Sequence, residues 1–154
     1  MPINYPGARS VIQHPENPEL FLLMKQYIRK EDGSIVEYFS IPGGRVDADP
    51  ETRTIETFEQ TAAREAKEET DLDVEVVKYL GSYGMFWGRD NSGNSCSYTV
   101  FLVRALHDRV DTTKNPDQNE DAIDVIWITK DQLDDYQISN QNLLSILKNM
   151  SLTE

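Results

Sequence analysis

The chain has 154 residues, with 27 acidic side chains against 15 basic ones and a formal net charge of -12. That balance argues against a general nucleic-acid binder, which would need a basic face to replace phosphate counterions; a phosphorylated small molecule stays admissible if divalent cations stand between the two sets of negative charge. With 38% hydrophobic and 27% charged residues, one globular domain spanning 1–154 is expected, since the length suits one core and not two. The lone Cys96 allows no intrachain disulfide and is expected as a small buried residue. The opening MPINYPGARS lacks the apolar region of a leader, and no run is long enough to span a membrane, so a cytoplasmic protein with no membrane partner is expected.

In chain order, "ARSVIQ" (8–13) is a short strand closed by the turn residues of "HPENPE". "LFLLMKQYI" (20–28) is a longer apolar strand, and "EDGS" turns it into "IVEYFSI" (35–41), with Asp-Gly supplying positive φ angles. Past the "IPGG" turn at 41–44, Thr57 and Gln60 form a capping box, and Phe58, Ala62, Ala63 and Ala66 recur at helical intervals, so a helix is predicted over about 58–70. Two β-branched and aromatic strands, 74–86 and 95–106, flank a polar glycine-containing loop and should pair antiparallel. A further strand is predicted at 122–129. A last helix within 139–150 presents Leu143, Leu144, Ile146 and Leu147 on one face, with Ser139 as its N-cap.

The helix over 58–70 raises a charge problem, because Glu65, Glu68 and Glu69 share one of its faces. Most acidic runs on helices are merely solvated, and Lys67 could soften the repulsion. These acids, however, crowd the C-terminal half, where the macrodipole disfavours negative charge. They also follow Gly43 and Gly44, a pair that lets backbone approach an ion or phosphate with no side chain in the way. A hard cation held by carboxylates and substrate phosphate would explain both features.

The stretch "ETFEQTAAREAKEETDL" (56–72) resembles the signature of the Nudix hydrolases: a glycine, a glutamate, seven residues, then Arg-Glu-apolar-x-Glu-Glu-x-Gly-apolar. Asp71 stands where the closing glycine is usual, and Ala66 is a small version of the apolar residue. Eleven residues (45–55) separate Gly44 from Glu56 where the family has five, which reads as a six-residue insertion that closure entropy tolerates. Asp can adopt the left-handed conformation of a helix C-cap, so the helix should still end at Asp71.

For the fold, the resemblance implies an α+β architecture: an α/β/α sandwich with a mixed β-sheet, a catalytic loop-helix-loop and a C-terminal helix. For the site, it implies Mg²⁺ or Mn²⁺ on Glu65, Glu68 and Glu69 with a carbonyl of Gly43 or Gly44, and an Arg64–Glu56 ion pair that orients Glu65. For the chemistry, it implies hydrolysis of a nucleoside diphosphate linked to another group. The general base is Glu65 or an acid of the loop before the late strand, Glu120 or Asp121, of which Glu120 is preferred. Arg45, Phe39 and Trp87 are candidate substrate contacts, beside Tyr38 and Phe86. As strand residues the aromatics are more often core. Arg45, with Asp47, Asp49 and Arg53, is more often solvated.

No marker of substrate is present, since no proline falls between Pro50 and Pro116 and Tyr79 and Tyr83 lie too close to the box. A calcium loop is rejected because Thr52 occupies the required glycine position, and no nucleophile elbow exists for a serine hydrolase. His14 and His107 lack paired ligand spacing and read as surface residues. A nucleotide sensor without hydrolysis is the rival class, disfavoured because it has no need of three metal glutamates and Arg64. The sequence leaves a homodimer open.

Overall fold

A computed structural model describes residues 1–86, 92–115 and 122–153. Its strands are β1 (Asn4–Gln13), β2 (Phe21–Arg29), β3 (Ile35–Ser40), β4 (Gly43–Arg45), β5 (Ala48–Asp49), β6 (Thr54–Ile55), β7 (Val74–Phe86), β8 (Ser95–Ala105) and β9 (Ala122–Ile128). Its α-helices are α1 (Phe58–Thr70) and α2 (Gln141–Asn149).

The main sheet runs β3-β2-β1-β8-β7, with β9 added to β2 and β4 added to β1. β1 and β8 are parallel, in register from Asn4↔Ser95 to Gln13↔Arg104; the other pairings are antiparallel. β1 meets β2 only at Gln13↔Phe21, so the two strands splay apart. The wedge between them admits β4, which pairs with β1 through Gly7↔Arg45, Ala8↔Gly44 and Arg9↔Gly43. The glycine pair therefore lies where the sheet splits.

Alternation along β1 sends its residues to two cores. Ala8 and Ile12 join Ala62, Ala66 and Leu72 beneath α1, while Val11 joins Phe39, Tyr83, Tyr98, Leu143 and Leu147 beneath α2. Helices thus cover both faces of a mixed sheet, the sandwich expected. The alanines let α1 come close, and Ser10 donates a 3.0 Å hydrogen bond to the Ala62 carbonyl at the contact. Cys96 is buried, and burial raises its thiol pKa. Among the described residues no helix is long and apolar enough to cross a membrane.

Several local expectations need correction. β1 starts at Asn4, ahead of the apolar stretch, because its parallel register with β8 extends that far. In the β2–β3 turn only Gly33 has positive φ, at 86°; Asp32 instead accepts hydrogen bonds from the Ser34 amide and hydroxyl. The cap of α2 is Asn140, not Ser139, its side chain accepting from the amides of Asn142 and Leu143. Phe58 is 40% exposed and outside the core. His14 and His107 are half-buried: His14 packs edge-on against Trp127, and His107 lies 3.1 Å from Asp73. The insertion is not plain loop, since β5 and β6 make a small hairpin with Arg53 at φ 58°.

Candidate active site

The capping box at the head of α1 is reciprocal, with the Gln60 amide on the Thr57 hydroxyl at 3.1 Å and the Thr57 amide on the Gln60 side chain at 2.9 Å. Its tail closes on Asp71 in the left-handed conformation, φ 62°, with the Asp71 amide donating to the Lys67 carbonyl. Between these ends the repulsion among acids is relieved by Arg64 and not by Lys67, which reaches Asp71 and Asp73 instead.

Arg64 grips Glu56 bidentately, Nε to Oε2 at 2.8 Å and Nη2 to Oε1 at 2.9 Å. Its Nη1 donates to both Glu65 and Glu68 at 3.1 Å, and its Nη2 also donates to the Arg45 carbonyl at 2.9 Å. Glu56 accepts further from the Asp47 amide and the Thr61 hydroxyl, and the Arg64 bonds hold its pKa below the ordinary value. The amide of Glu56 donates to the Asp47 carbonyl, so the inserted hairpin hangs from the same ion pair.

Glu69 turns the other way, accepting from the Gly43 amide at 3.1 Å. Burial, then the charge of Glu65, pushes its pKa up to about 8, against the pull of Arg9 and of that amide. Each glycine makes room for one neighbour. A Cβ on Gly44 would stand 2.2 Å from Glu65 Oε1, and a Cβ on Gly43 would stand 2.3 Å from the Arg9 Cγ.

The ladder also separates the two glycine carbonyls. Ser10 donates to the Pro42 carbonyl and Val46 to the Pro6 carbonyl, so by alternation Ala8 and Gly44 form the hydrogen-bonded pair between them, while Gly43 directs its amide and carbonyl away from β1. Its amide meets Glu69 for that reason.

Of the residues picked out by sequence, Arg64, Glu65, Glu68, Glu69, Glu56 and the glycine pair are brought together. Phe39 is not: it is buried in the core, its ring 4.8 Å from that of Tyr136. Arg45 contributes its carbonyl to Arg64, while its guanidinium lies over the Tyr5 ring at 4.7 Å. Asp47, Asp49 and Arg53 are exposed, although Asp47 comes within 3.5 Å of Arg64. Tyr38 is half-buried and Phe86 is 76% exposed. Trp87, Glu120 and Asp121 lie outside the described residues.

Sequence reasoning missed Arg9. It sits in β1 with its guanidinium 4.2 Å from the centroid of Tyr98, which packs on Tyr83 at 5.6 Å. Its Nη1 donates to the Ile41 carbonyl at 2.7 Å and the Ser40 hydroxyl at 3.2 Å. The available signal was an arginine in phase with Val11 on a strand face that otherwise reads as core.

Among the described residues no three acid, imidazole or thiol groups are drawn together closely enough to hold an ion, because Arg64 occupies Glu65 and Glu68 while Glu69 faces Gly43. The donors nonetheless fit a hard divalent cation: three carboxylates, a glycine carbonyl directed off the ladder, and a site at Gly44 that any side chain would fill.

A mixed sheet between two helices, with a glycine pair at the split and a carboxylate helix beside it, is an architecture shared with solved structures. The chain is similar to the E. coli ORF135 protein (TM-score 0.67, 16% identity, 96% of this chain and 88% of that one). It is also similar to a MutT NUDIX hydrolase from Burkholderia pseudomallei (TM-score 0.67, 21% identity, 96% and 98%) and to a UDP-X diphosphatase (TM-score 0.61, 18% identity, 96% and 61%). At such identities the likeness is one of fold. No curated protein matches the chain. The NUDIX domain profile matches residues 4–147, and the chain belongs to that family. It is a pyrophosphohydrolase, of a family that acts on nucleoside diphosphate derivatives and generally uses divalent metals.

Proposed function

We propose that the chain hydrolyses the diphosphate bond of a nucleoside diphosphate linked to another moiety, yielding a nucleoside monophosphate and the phosphorylated remainder. The observation that carries this reading is the arrangement around Arg64, which presents Glu65 and Glu68 beside the glycine pair while Glu56 anchors it from behind. One of the similar folds is a UDP-X diphosphatase, which accords with that substrate class.

Glu65, Glu68 and Glu69 would hold Mg²⁺ or Mn²⁺. The ladder favours the Gly43 carbonyl over that of Gly44 as the backbone ligand, because Gly44 is turned toward β1. When bound, the cation lowers the pKa of a water and neutralises charge on the diphosphate. The chain's own residues do the positioning. Glu56 fixes the guanidinium of Arg64, and Arg64 in turn fixes the carboxylate of Glu65. A base must lie within one hydrogen bond of the attacking water; Glu120 is proposed for that proton, with Glu65 as the second candidate.

The test is release of nucleotide and phosphorylated product from a panel of nucleoside diphosphate derivatives with Mg²⁺ or Mn²⁺, in wild type and Glu68→Gln. Turnover should need metal and fall about a thousandfold in the variant. Equal turnover in the two proteins would reject the site. Tight nucleotide binding with no turnover in either would favour the sensor.

A further inference from the structure

Residues 48–55, the inserted hairpin, are all exposed, and none belongs to either core. Their ladder pairs Asp49 with Thr54 and Ala48 with Ile55, and the next pair in that register is Asp47 with Glu56. The first bond of this last rung is the ordinary one, the Glu56 amide donating to the Asp47 carbonyl at 3.0 Å. The return bond is not. The Asp47 amide donates at 2.9 Å to Oε1 of the Glu56 side chain, where an antiparallel pair would use the backbone carbonyl. A carboxylate oxygen thus completes the rung that joins the hairpin to α1.

That same oxygen accepts from Arg64 Nη2 at 2.9 Å. Thr61 also reaches it at 3.0 Å, but its hydroxyl has one proton for two acceptors, the other being the Thr57 carbonyl at 3.1 Å. Asp47 binds Glu56 twice, at the backbone amide and at the carboxylate, and two bonds of this kind fix the side chain relative to its own backbone. The aim of Glu56 matters beyond the hairpin, because Arg64 lies against it and holds Glu65 and Glu68 on Nη1. With no buried side chain, the hairpin is ordered by its own hydrogen bonds: the Glu51 amide on the Asp49 side chain at 3.0 Å, Thr52 against Thr54 at 2.7 Å, and the rung at its base.

We infer that Asp47 is a positioning residue for the hydrolase: its main chain, kept in register by the inserted hairpin, sets the carboxylate of Glu56 and, through Arg64, the carboxylates of Glu65 and Glu68. The inference rests on the proposed reading of those two acids as metal ligands. The Asp47 side chain, exposed and 3.5 Å from Arg64 Nε, is not the acting group; its amide is.

The experiment follows the Arg64 Nε–H signal of the full chain by NMR, with Mn²⁺ affinity, the thermal midpoint and turnover of the nucleoside diphosphate panel measured in parallel. Asp47→Pro removes the amide. Thr54→Pro removes an amide from the next bonded pair of the ladder, at an exposed position outside both cores, and carries the test if Asp47→Pro does not fold. Exchange of the Arg64 Nε–H with water should quicken about tenfold in Asp47→Pro and about threefold in Thr54→Pro. Turnover should fall by similar factors in kcat, with KM within about twofold of wild type. A lowered midpoint with Arg64 exchange unchanged in both variants would leave the hairpin a surface attachment and overturn the inference. So would a kcat equal to that of wild type in both. Glu68→Gln separates this inference from the reading beneath it. If that variant binds Mn²⁺ as wild type does, the metal reading falls, and an Arg64 response to Asp47→Pro keeps the rung. Weakened Mn²⁺ binding in Glu68→Gln, with Arg64 indifferent to Asp47→Pro and Thr54→Pro, removes the rung and keeps the metal site.

Discussion

Arg64 and Arg9 stand on opposite sides of one glycine pair, each beside a glutamate of α1. Arg64 has every nitrogen engaged: Nε on Glu56, Nη1 on Glu65 and Glu68, Nη2 on Glu56 and the Arg45 carbonyl. Arg9 donates from Nη1 to Ser40 and Ile41 and rests its face on Tyr98. The acids near them diverge too, Glu56 lowered in pKa by Arg64 and Glu69 raised by burial. Arg64 thus organises the acids of α1, whereas Arg9, held by the Ile41 carbonyl and the Tyr98 face, braces the other side of the glycine pair. That contrast can be broken or sharpened by substitution.

The largest effect should come from Arg64→Met. Removing the guanidinium leaves Glu56, Glu65 and Glu68 without their common partner, and a cost of about 2–3 kcal/mol is expected in urea unfolding because the group is only partly buried. Turnover should fall at least about a hundredfold as Glu65 loses its support. A variant as stable and active as wild type would end the account of Arg64 as scaffold.

Gly44→Ala should come next. The new Cβ falls 2.2 Å from Glu65 Oε1, but a carboxylate end can swing aside, so folding should survive at a cost of about 1 kcal/mol. Displacement of Glu65 should lower turnover about ten- to a hundredfold. Measured kcat and metal affinity for this variant check the two consequences separately.

The two glutamates predict opposite pH dependences for the metal-free protein. Glu69 keeps its proton up to about 8 when folded and loses it near its ordinary 4.5 when unfolded. Between those values the unfolded chain binds fewer protons, so stability should decline as pH rises from about 4.5 to 8. Glu56, with its folded pKa lowered, contributes stability above its ordinary 4.5 that is lost as pH falls through the lowered value. Urea midpoints across pH 5 to 8, an interval on the order of that window, should show a decline that Glu69→Gln abolishes and Mg²⁺ reduces. A flat profile in the wild type would contradict the burial of Glu69.

Asp71→Gly should do least. Glycine relieves the left-handed backbone at φ 62° but gives up exposed ion pairs to Lys67 and Lys114, and the two changes should nearly cancel in the urea midpoint. Activity should match wild type in the assay that separates the other variants.

What lay within a few residues was legible before any coordinates. The helix over 58–70, its capping box, its end at Asp71 and the reach of Arg64 to Glu65 and Glu68 follow from hydrogen bonds and side-chain spacing internal to one segment. The inserted hairpin was not legible, because strands of two residues carry no alternation to read. Nor were the half-burial of His14 and His107 or the exposure of Phe58, which depend on what packs above them.

The sequence by itself determined the segment chemistry: where α1 begins and ends, which acids share its face, and that a glycine pair precedes it. Only the tertiary structure decided which glycine serves which neighbour, that Arg64 and not Lys67 relieves the acids, and that Arg9 lies against Tyr98 from the far end of the chain. The reason is that helix periodicity and capping are local, while the register of β1 on β8 is settled by a pairing between segments far apart in the chain.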